Sequence, residues 1–135
     1  MEKILIVEDE KSQRKALRAS LEQKGFSILE ATNGGEGLGR ALSEHPDIIL
    51  LDVRMPKMDG ITMMRKLRED PWGKNASIII LTNYDTTDTQ LLQVTAELPS
   101  YYLIKANTSL EGIFEKIKKV LDSKKEERKS RERLA

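Results

Sequence analysis

Acidic side chains stand at the ends of two apolar runs. The run Ile48–Leu51 leads directly into Asp52, and the run Ile4–Val7 leads into the pair Glu8 and Asp9. An apolar run that ends in a charged residue and a turn is typical of a buried strand with an acid at its tip. Clustered carboxylates repel one another unless a hard cation such as Mg²⁺ lies among them. The acids therefore predict metal chemistry, with Asp52 as the central candidate.

Two further apolar runs end in polar residues of a different kind. One leads into Thr82 and Asn83, and the other, which contains Tyr102, leads into Lys105. If the four runs are parallel strands, their tips lie on one edge of a sheet, where open α/β sheets place their ligands. A hydroxyl and an ammonium group can both hold anionic oxygens. The sequence thus predicts carboxylates, one hydroxyl and one ammonium group at a single edge.

The elements that must position these residues alternate between strand and helix patterns. A shorter run, Ser27–Ala31, adds a fifth strand, and apolar residues at helical spacing follow each strand. The fourth helix, around residues 87–98, is weakly patterned, whereas the fifth has a clear apolar stripe of Leu110, Ile113, Phe114, Ile117, Val120 and Leu121. Alternation of this kind predicts an α/β fold with a parallel sheet covered on both faces. The first, third and fourth strands are unbroken apolar runs, which places them in the middle of the sheet.

Length and composition limit the function classes. The chain has 135 residues, of which 39% are hydrophobic, and this suits one domain with one core. The absence of Cys excludes a disulfide framework and a thiol nucleophile. No apolar stretch approaches a membrane span and no signal peptide opens the chain, so a soluble, cytoplasmic protein is expected. The net charge of +1 gives no general attraction to nucleic acid or to an anionic membrane.

Taken together, the polar residues resemble those of a response-regulator receiver domain, the phospho-acceptor module of two-component signalling. The resemblance runs from Lys3 to Leu121. It rests on an ordered set of motifs, namely Glu8-Asp9, Asp52 with Met55-Pro56 and Asp59-Gly60, then Thr82, Tyr102 and Lys105. It implies a flavodoxin-like, doubly wound, five-stranded parallel sheet of order 2-1-3-4-5 with five helices. Residues 1–121 are accordingly predicted to be the receiver domain.

The resemblance also implies roles for the site residues. Asp52 would accept the phosphoryl group, Asp9 would bind Mg²⁺ directly and Glu8 would bind it through water. The remaining protein ligands of the metal would be Asp52 itself and the backbone carbonyl of Arg54. Simpler interpretations stay open: a strand-end Asp often bonds the following turn, and Asp9 could instead cap the helix that begins near Lys11.

Other residues would hold or modulate the phosphoryl group. By resemblance, Thr82 and Lys105 bind its oxygens, and Tyr102 is the aromatic switch that turns inward when the threonine shifts. The alternative for Tyr102 is an ordinary half-exposed tyrosine of an edge strand. Arg54 lies where the family varies and would set the lifetime of the acyl phosphate. Asn83 stands where the family commonly has a small residue, and it would affect access of the phosphodonor. Glu8 stands where the family more often has Asp, and its longer side chain would alter metal affinity.

Three functions fit these residues to different degrees. The leading hypothesis is a phosphorylation-driven switch, which assists its own phosphorylation but is not otherwise an enzyme. Its partners would be a sensor histidine kinase or phosphotransfer protein and a downstream output protein or lost output domain, with no direct binding of nucleic acid or membrane. A second copy of the chain, joined through the fourth helix, fifth strand and fifth helix, is a further candidate partner. The alternatives are a degenerate receiver that binds partners without phosphorylation, and a Mg²⁺-dependent phosphohydrolase. Such a hydrolase needs a second Asp where this chain has Arg54.

The end of the chain differs from its body. Residues 122–133 contain six basic and four acidic side chains, and residues 123–133 contain no hydrophobic one. Lys, Glu and Arg are good helix formers, so residues 122–135 are predicted to be a charged helical extension or a linker. Of the remaining unusual residues, His45 has no second histidine to share a metal, and Trp72 is predicted to anchor a loop.

Overall fold

The fold is a parallel sheet with helices on both faces. A computed structural model describes residues 2–52, 60–82, 101–104 and 108–134. Its five strands pair in the order β2-β1-β3-β4-β5, and every pair is parallel, so the predicted strand order is confirmed. The strands are β1 (Lys3–Val7), β2 (Ser27–Ala31), β3 (Ile48–Asp52), β4 (Ile78–Thr82) and β5 (Tyr101–Ile104).

Four α-helices and one short 3-10 turn lie in the described residues. The helices are α1 (Lys11–Gln23), α2 (Gly34–Glu44), α3 (Gly60–Glu69) and a long helix (Leu110–Leu134), and the 3-10 turn is Gly73–Asn75. The predicted fourth helix, around residues 87–98, lies outside the described residues. Helix α1 stops where the sequence indicates, because Gly25 has a φ of 95° that other residues rarely adopt.

The central strands are buried on both faces because their apolar runs are unbroken. Alternate residues of each strand enter two separate core clusters: Leu5 and Val7 belong to one, and Ile4 and Ile6 to the other. Helices α2 and α3 complete the first cluster, whereas α1 and the long helix complete the second. This two-layer cover fixes the strand ends in space, and the site is built on those ends.

One detail of the helical predictions is corrected. Leu110 opens the long helix but is 43% exposed, so the buried stripe starts at Ile113. Past Leu121 the charged segment continues the helix without a break to Leu134. Its role as a linker stays a prediction. The first turn of this extension contacts the domain, since Lys124 Nζ donates to the carbonyl of Asp47 at 2.9 Å.

Trp72 anchors the connection between α3 and β4, as predicted. Its ring stacks on His45 with centroids 4.4 Å apart and planes 6° from parallel, and it packs against the first core cluster. Asp70 shapes the turn by accepting from the backbone N–H groups of Trp72 at 2.9 Å and Gly73 at 3.1 Å. His45 is thereby used in packing at the end of α2.

No helix in the described part of the chain combines the length and apolar character needed to cross a membrane.

Candidate functional site

Glu8 and Asp52 are neighbours at the carboxyl edge of the sheet. Val7 pairs with Leu51 in the parallel ladder, so the next residue of each strand is one of the two acids. Ile6 and Leu50, two residues earlier, both belong to the second core cluster, and side chains two residues apart in a strand share a face. Both acids therefore project on the face covered by α1 and the long helix.

The two acids are buried, and Asp9 joins them from the surface. Glu8 is 2% exposed and Asp52 is 7% exposed, whereas Asp9 is exposed. One carboxylate oxygen from each of the three residues lies within 4.8 Å of the others. Adjacent like charges on neighbouring strands are destabilising, and a buried charge is costly unless it is paired. The three acids form a group that could hold a metal ion.

A hard divalent cation fits this donor set. All three groups offer carboxylate oxygens, which Mg²⁺ prefers, and Mg²⁺ commonly keeps several waters beside one or two carboxylates. Opposite oxygens on one Mg²⁺ lie about 4.2 Å apart. The spacing of these oxygens thus allows direct binding by some of the acids and binding through water by another. Glu8 has the longest side chain, and one of its oxygens, Oε1, also accepts from the backbone N–H of Glu10 at 3.2 Å.

The residue that caps α1 is Glu10, and the alternative role of Asp9 as the cap is wrong. Glu10 accepts from the backbone N–H groups of Ser12 at 3.2 Å and Gln13 at 3.3 Å. It also accepts from the Ser12 hydroxyl at 2.6 Å. Glutamate is not among the preferred N-cap residues, so the sequence pointed to the shorter acid. Because Glu10 serves the helix end, the Asp9 carboxylate is available to the acidic cluster.

Arg14 holds the loop between β1 and α1 from the side, a role that the sequence analysis missed. Its guanidinium donates to the carbonyl of Glu8 at 2.9 Å and, more weakly, to that of Asp9 at 3.5 Å. The same group is paired with Glu30 of β2 at 3.1 Å. The backbone N–H of Glu8 also donates to Ala31 at 3.0 Å, which extends the ladder between β1 and β2. The segment that carries two of the three acids is therefore held on both sides.

The structure describes the other predicted site residues only in part. Thr82 ends β4 opposite Ile104 of β5, which places its backbone at the same edge as Asp52. Tyr102 of β5 pairs with Ile80 of β4. Lys105, one residue past the end of β5, lies outside the described residues, as do Arg54 and Asn83. The strand ends thus follow the predicted arrangement, and the roles of these five side chains stay predictions.

Comparison with known proteins assigns a family to this fold and site. The response regulator receiver domain matches residues 4–118, which include all three clustered acids. The chain belongs to this family. It is 39% identical over 85 residues to Protein PilH of Pseudomonas aeruginosa, covering 63% of this chain and 70% of PilH. It is 35% identical over 99 residues to the response regulator MprA of Mycolicibacterium vanbaalenii, covering 73% of this chain and 42% of MprA.

Solved receiver structures have the same fold. The chemotaxis response regulator CheY4 of Vibrio cholerae matches with a TM-score of 0.81 at 28% identity, covering 89% of this receiver and 98% of CheY4. A CheY-like receiver domain protein of Methanospirillum hungatei matches with a TM-score of 0.85 at 25% identity, covering 94% and 98% of the two chains. The flavodoxin-like architecture implied by the family resemblance is thereby confirmed.

Proposed function

We propose that this receiver is a phosphorylation-dependent signalling switch that accepts a phosphoryl group on Asp52 with the help of Mg²⁺. One observation carries the proposal: buried Glu8 and Asp52 stand side by side on adjacent strands, with the Asp9 carboxylate close to both. A stabilising ion pair needs only one acid and one base. Three acids converging at a strand edge are suited to a metal-assisted reaction instead.

In the proposed reaction, a carboxylate oxygen of Asp52 attacks the phosphorus of a phosphohistidine on a partner kinase. A P–O bond forms, the P–N bond breaks, and the imidazole leaves with the electron pair of that bond. Bound Mg²⁺ would neutralise charge on the phosphoryl oxygens. Asp9 would hold the ion directly and Glu8 through water, with Asp52 and the backbone carbonyl of Arg54 as further ligands. Burial of Asp52 limits the access of bulk water to the acyl phosphate.

The other predicted site residues would respond to the negative charge of the phosphoryl group on Asp52. Thr82 and Lys105, at the ends of the two strands beyond β3, would bind phosphoryl oxygens through a hydroxyl and an ammonium group. Tyr102 on β5 would then turn inward and change the surface formed by the predicted fourth helix, β5 and the long helix. Arg54 would set how long the acyl phosphate lasts, and Asn83 would affect access to it.

The proposed partners follow from this chemistry. A cytoplasmic sensor histidine kinase or phosphotransfer protein would supply the phosphoryl group, and an output protein or domain would recognise the altered surface. The chain spans 42% of the length of the response regulator MprA, so this larger relative extends well beyond the matched region. The altered surface could equally join two copies of this receiver. The proposed role is regulatory, without turnover of an external substrate.

A phosphodonor assay tests the proposal. Incubation with Mg²⁺ and acetyl phosphate should add one base-labile phosphoryl group to the wild-type protein, seen by mass spectrometry. Asp52→Asn should remain unmodified, and Asp122→Asn, which removes an exposed acid of the long helix, should react like the wild type. If the wild type stays unmodified with both acetyl phosphate and a phosphorylated histidine donor, the proposal fails. A degenerate receiver that binds partners without phosphorylation would then be favoured.

A further inference from the structure

The guanidinium of Arg14 contacts both backbone carbonyls of the acidic pair Glu8 and Asp9. Its side chain is 14% exposed, so most of it lies within the protein. The guanidinium reaches back from the first turns of α1 to the carbonyl of Glu8 at 2.9 Å and to that of Asp9 at 3.5 Å. We propose that Arg14 is a positioning residue for the Mg²⁺ site. The inference rests on the proposed function, because it concerns how that site is built.

The contacts of Arg14 explain how one side chain could set the metal site. By holding the two carbonyls, it fixes the peptide units from which the Glu8 and Asp9 side chains project. Glu30 on β2 holds the guanidinium in turn, at 3.1 Å from Nε. The chain of contacts runs from an edge strand, through Arg14, to the backbone beneath two metal-binding acids. Outer partners of this kind orient metal ligands and commonly change metal affinity about 10- to 100-fold when they are removed.

Arginine suits this position better than lysine. A guanidinium presents five N–H donors in a planar fork, so it can donate to carbonyls on one side while pairing with a carboxylate on another. An ammonium group at the end of a flexible stem carries the same charge but cannot keep all of these contacts at once. The Arg14→Lys variant therefore keeps the charge and removes the positioning.

Charge alone would have the opposite effect on metal affinity. A cation close to three carboxylates opposes the approach of Mg²⁺, so removing it would tighten binding if electrostatics decided the outcome. Arg14→Gln removes the charge and retains a donor. The positioning role predicts weaker Mg²⁺ binding in both variants, whereas a purely electrostatic role predicts tighter binding in the Gln variant and no change in the Lys variant.

Arg18 is the matched control. It lies one turn further along α1 and is also paired with Glu30, but its second partner is Glu22 of the same helix and not the Glu8–Glu10 loop. The variant Arg18→Gln thus disturbs the same carboxylate of β2 and the same helix without removing a contact to the metal loop. It should bind Mg²⁺ like the wild type.

The experiment has one arm without metal and one with it. In metal-free protein, hydrogen exchange of the backbone amides of residues 8–12 should accelerate in Arg14→Lys and Arg14→Gln but not in Arg18→Gln. In calorimetric titrations with Mg²⁺ alone, both Arg14 variants should bind about 10-fold more weakly. Their phosphorylation by acetyl phosphate should recover the wild-type rate at saturating Mg²⁺. A merely structural role would lower the thermal midpoint without this rescue.

The outcomes separate the two proposals. If the wild type binds Mg²⁺ and Arg14→Lys binds it equally well, the positioning role of Arg14 is overturned while the proposed function stands. Tighter binding by Arg14→Gln would likewise overturn it in favour of a charge effect. If the wild type takes up no Mg²⁺, the proposed function fails first, and the inference about Arg14 fails with it.

Discussion

At the scale of single residues, the chemistry of Asp52 comes from its neighbours. Glu8 stands beside it on the adjacent strand, and Asp9 brings a third carboxylate within 4.8 Å. The sequence could predict this convergence because parallel strands bring their carboxyl ends to one edge. It could not predict Glu10 as the helix cap or Arg14 as the support of the loop. A charged residue on a helix surface carries no periodic signal that distinguishes a specific contact from solvent exposure.

The role of Asp9 leads to a prediction for the metal. Asp9→Asn replaces a charged ligand of the proposed ion by a neutral amide, while the fold should be unaffected because Asp9 is exposed and does not cap α1. Mg²⁺ affinity should fall by more than the roughly 10-fold typical of an outer partner, because charged ligands set the affinity for hard cations. Calorimetric titration with Mg²⁺ and the rate of phosphorylation by acetyl phosphate measure this loss.

Glu10→Gln is the control for Asp9→Asn, since it removes one negative charge from the next residue of the same loop. Glu10 contacts Ser12 and Gln13 at the helix end, so its loss should act on stability, by about 1 kcal/mol for a weakened cap, with little effect on Mg²⁺. Equal Mg²⁺ affinity in Asp9→Asn and the wild type would show that Asp9 does not bind the ion.

At the scale of elements, the accuracy of the predictions follows the strength of the physical signal. The three central strands were predicted well because burial on both faces demands unbroken apolar runs. The end of α1 was also predictable, since Gly25 adopts a φ of 95°. Leu110 was predicted to be part of the buried stripe but lies at the exposed start of its helix. Periodicity identifies a helix face, but it does not show how far along the helix the neighbouring elements extend.

The packing of α2 on the sheet yields a stability prediction. A Cβ built on Gly37 would lie 2.9 Å from a methyl carbon of Val7 and 3.1 Å from the sulfur of Met63. Overpacking in Gly37→Ala should therefore lower the free energy of unfolding by about 1 to 3 kcal/mol. The higher helix propensity of alanine offsets roughly 1 kcal/mol of this loss. Val7 directly precedes Glu8, so the strain falls on the strand that leads to the site. Urea unfolding measures the change.

Gly39→Ala is the matched control in the same helix, because a Cβ at Gly39 would meet nothing within 4 Å. It should raise the free energy of unfolding by about 0.5 to 1 kcal/mol, since alanine favours the helix more than glycine does. If both substitutions stabilise the protein equally, α2 does not pack closely on Val7 and Met63.

At the scale of the whole molecule, the charged end of the long helix is joined to the domain at its first turn. Lys124 Nζ donates to the carbonyl of Asp47 at 2.9 Å, on the side of the sheet where β3 begins. Lys125 lies 3.7 Å from Glu2 in an exposed pair, which contributes little by itself. Composition alone could not distinguish a solvated helix end from an attached one, because an isolated lysine is normally a surface residue. Further along, residues 125–133 are exposed.

Burial lowers the pKa of Lys124 below its ordinary value of 10.5, and the nearby Arg128 lowers it further, while Asp47 and Glu127 act in the opposite direction. The unfolded chain therefore keeps this proton to higher pH than the folded protein does. Unfolding takes up a proton in the interval between the lowered pKa and 10.5, so the contribution of Lys124 to stability rises with pH across that interval. Below the lowered pKa, this contribution does not change with pH.

Lys124→Met tests the attachment in the full chain, because methionine keeps most of the aliphatic stem and removes the ammonium group. Near neutral pH the variant should lose about 0.5 to 1.5 kcal/mol for the hydrogen bond to Asp47, partly offset by relief from burying a charge. The deficit should widen as urea unfolding is repeated at pH values rising toward 10.5, the ordinary pKa of lysine, because the folded wild-type protein loses this proton before the unfolded chain does. Lys129→Met, the same substitution at an exposed position one turn later, should show neither effect. If Lys124→Met likewise shows neither a deficit nor a pH dependence, Lys124 does not contact Asp47 and the long helix leaves the domain at Leu121.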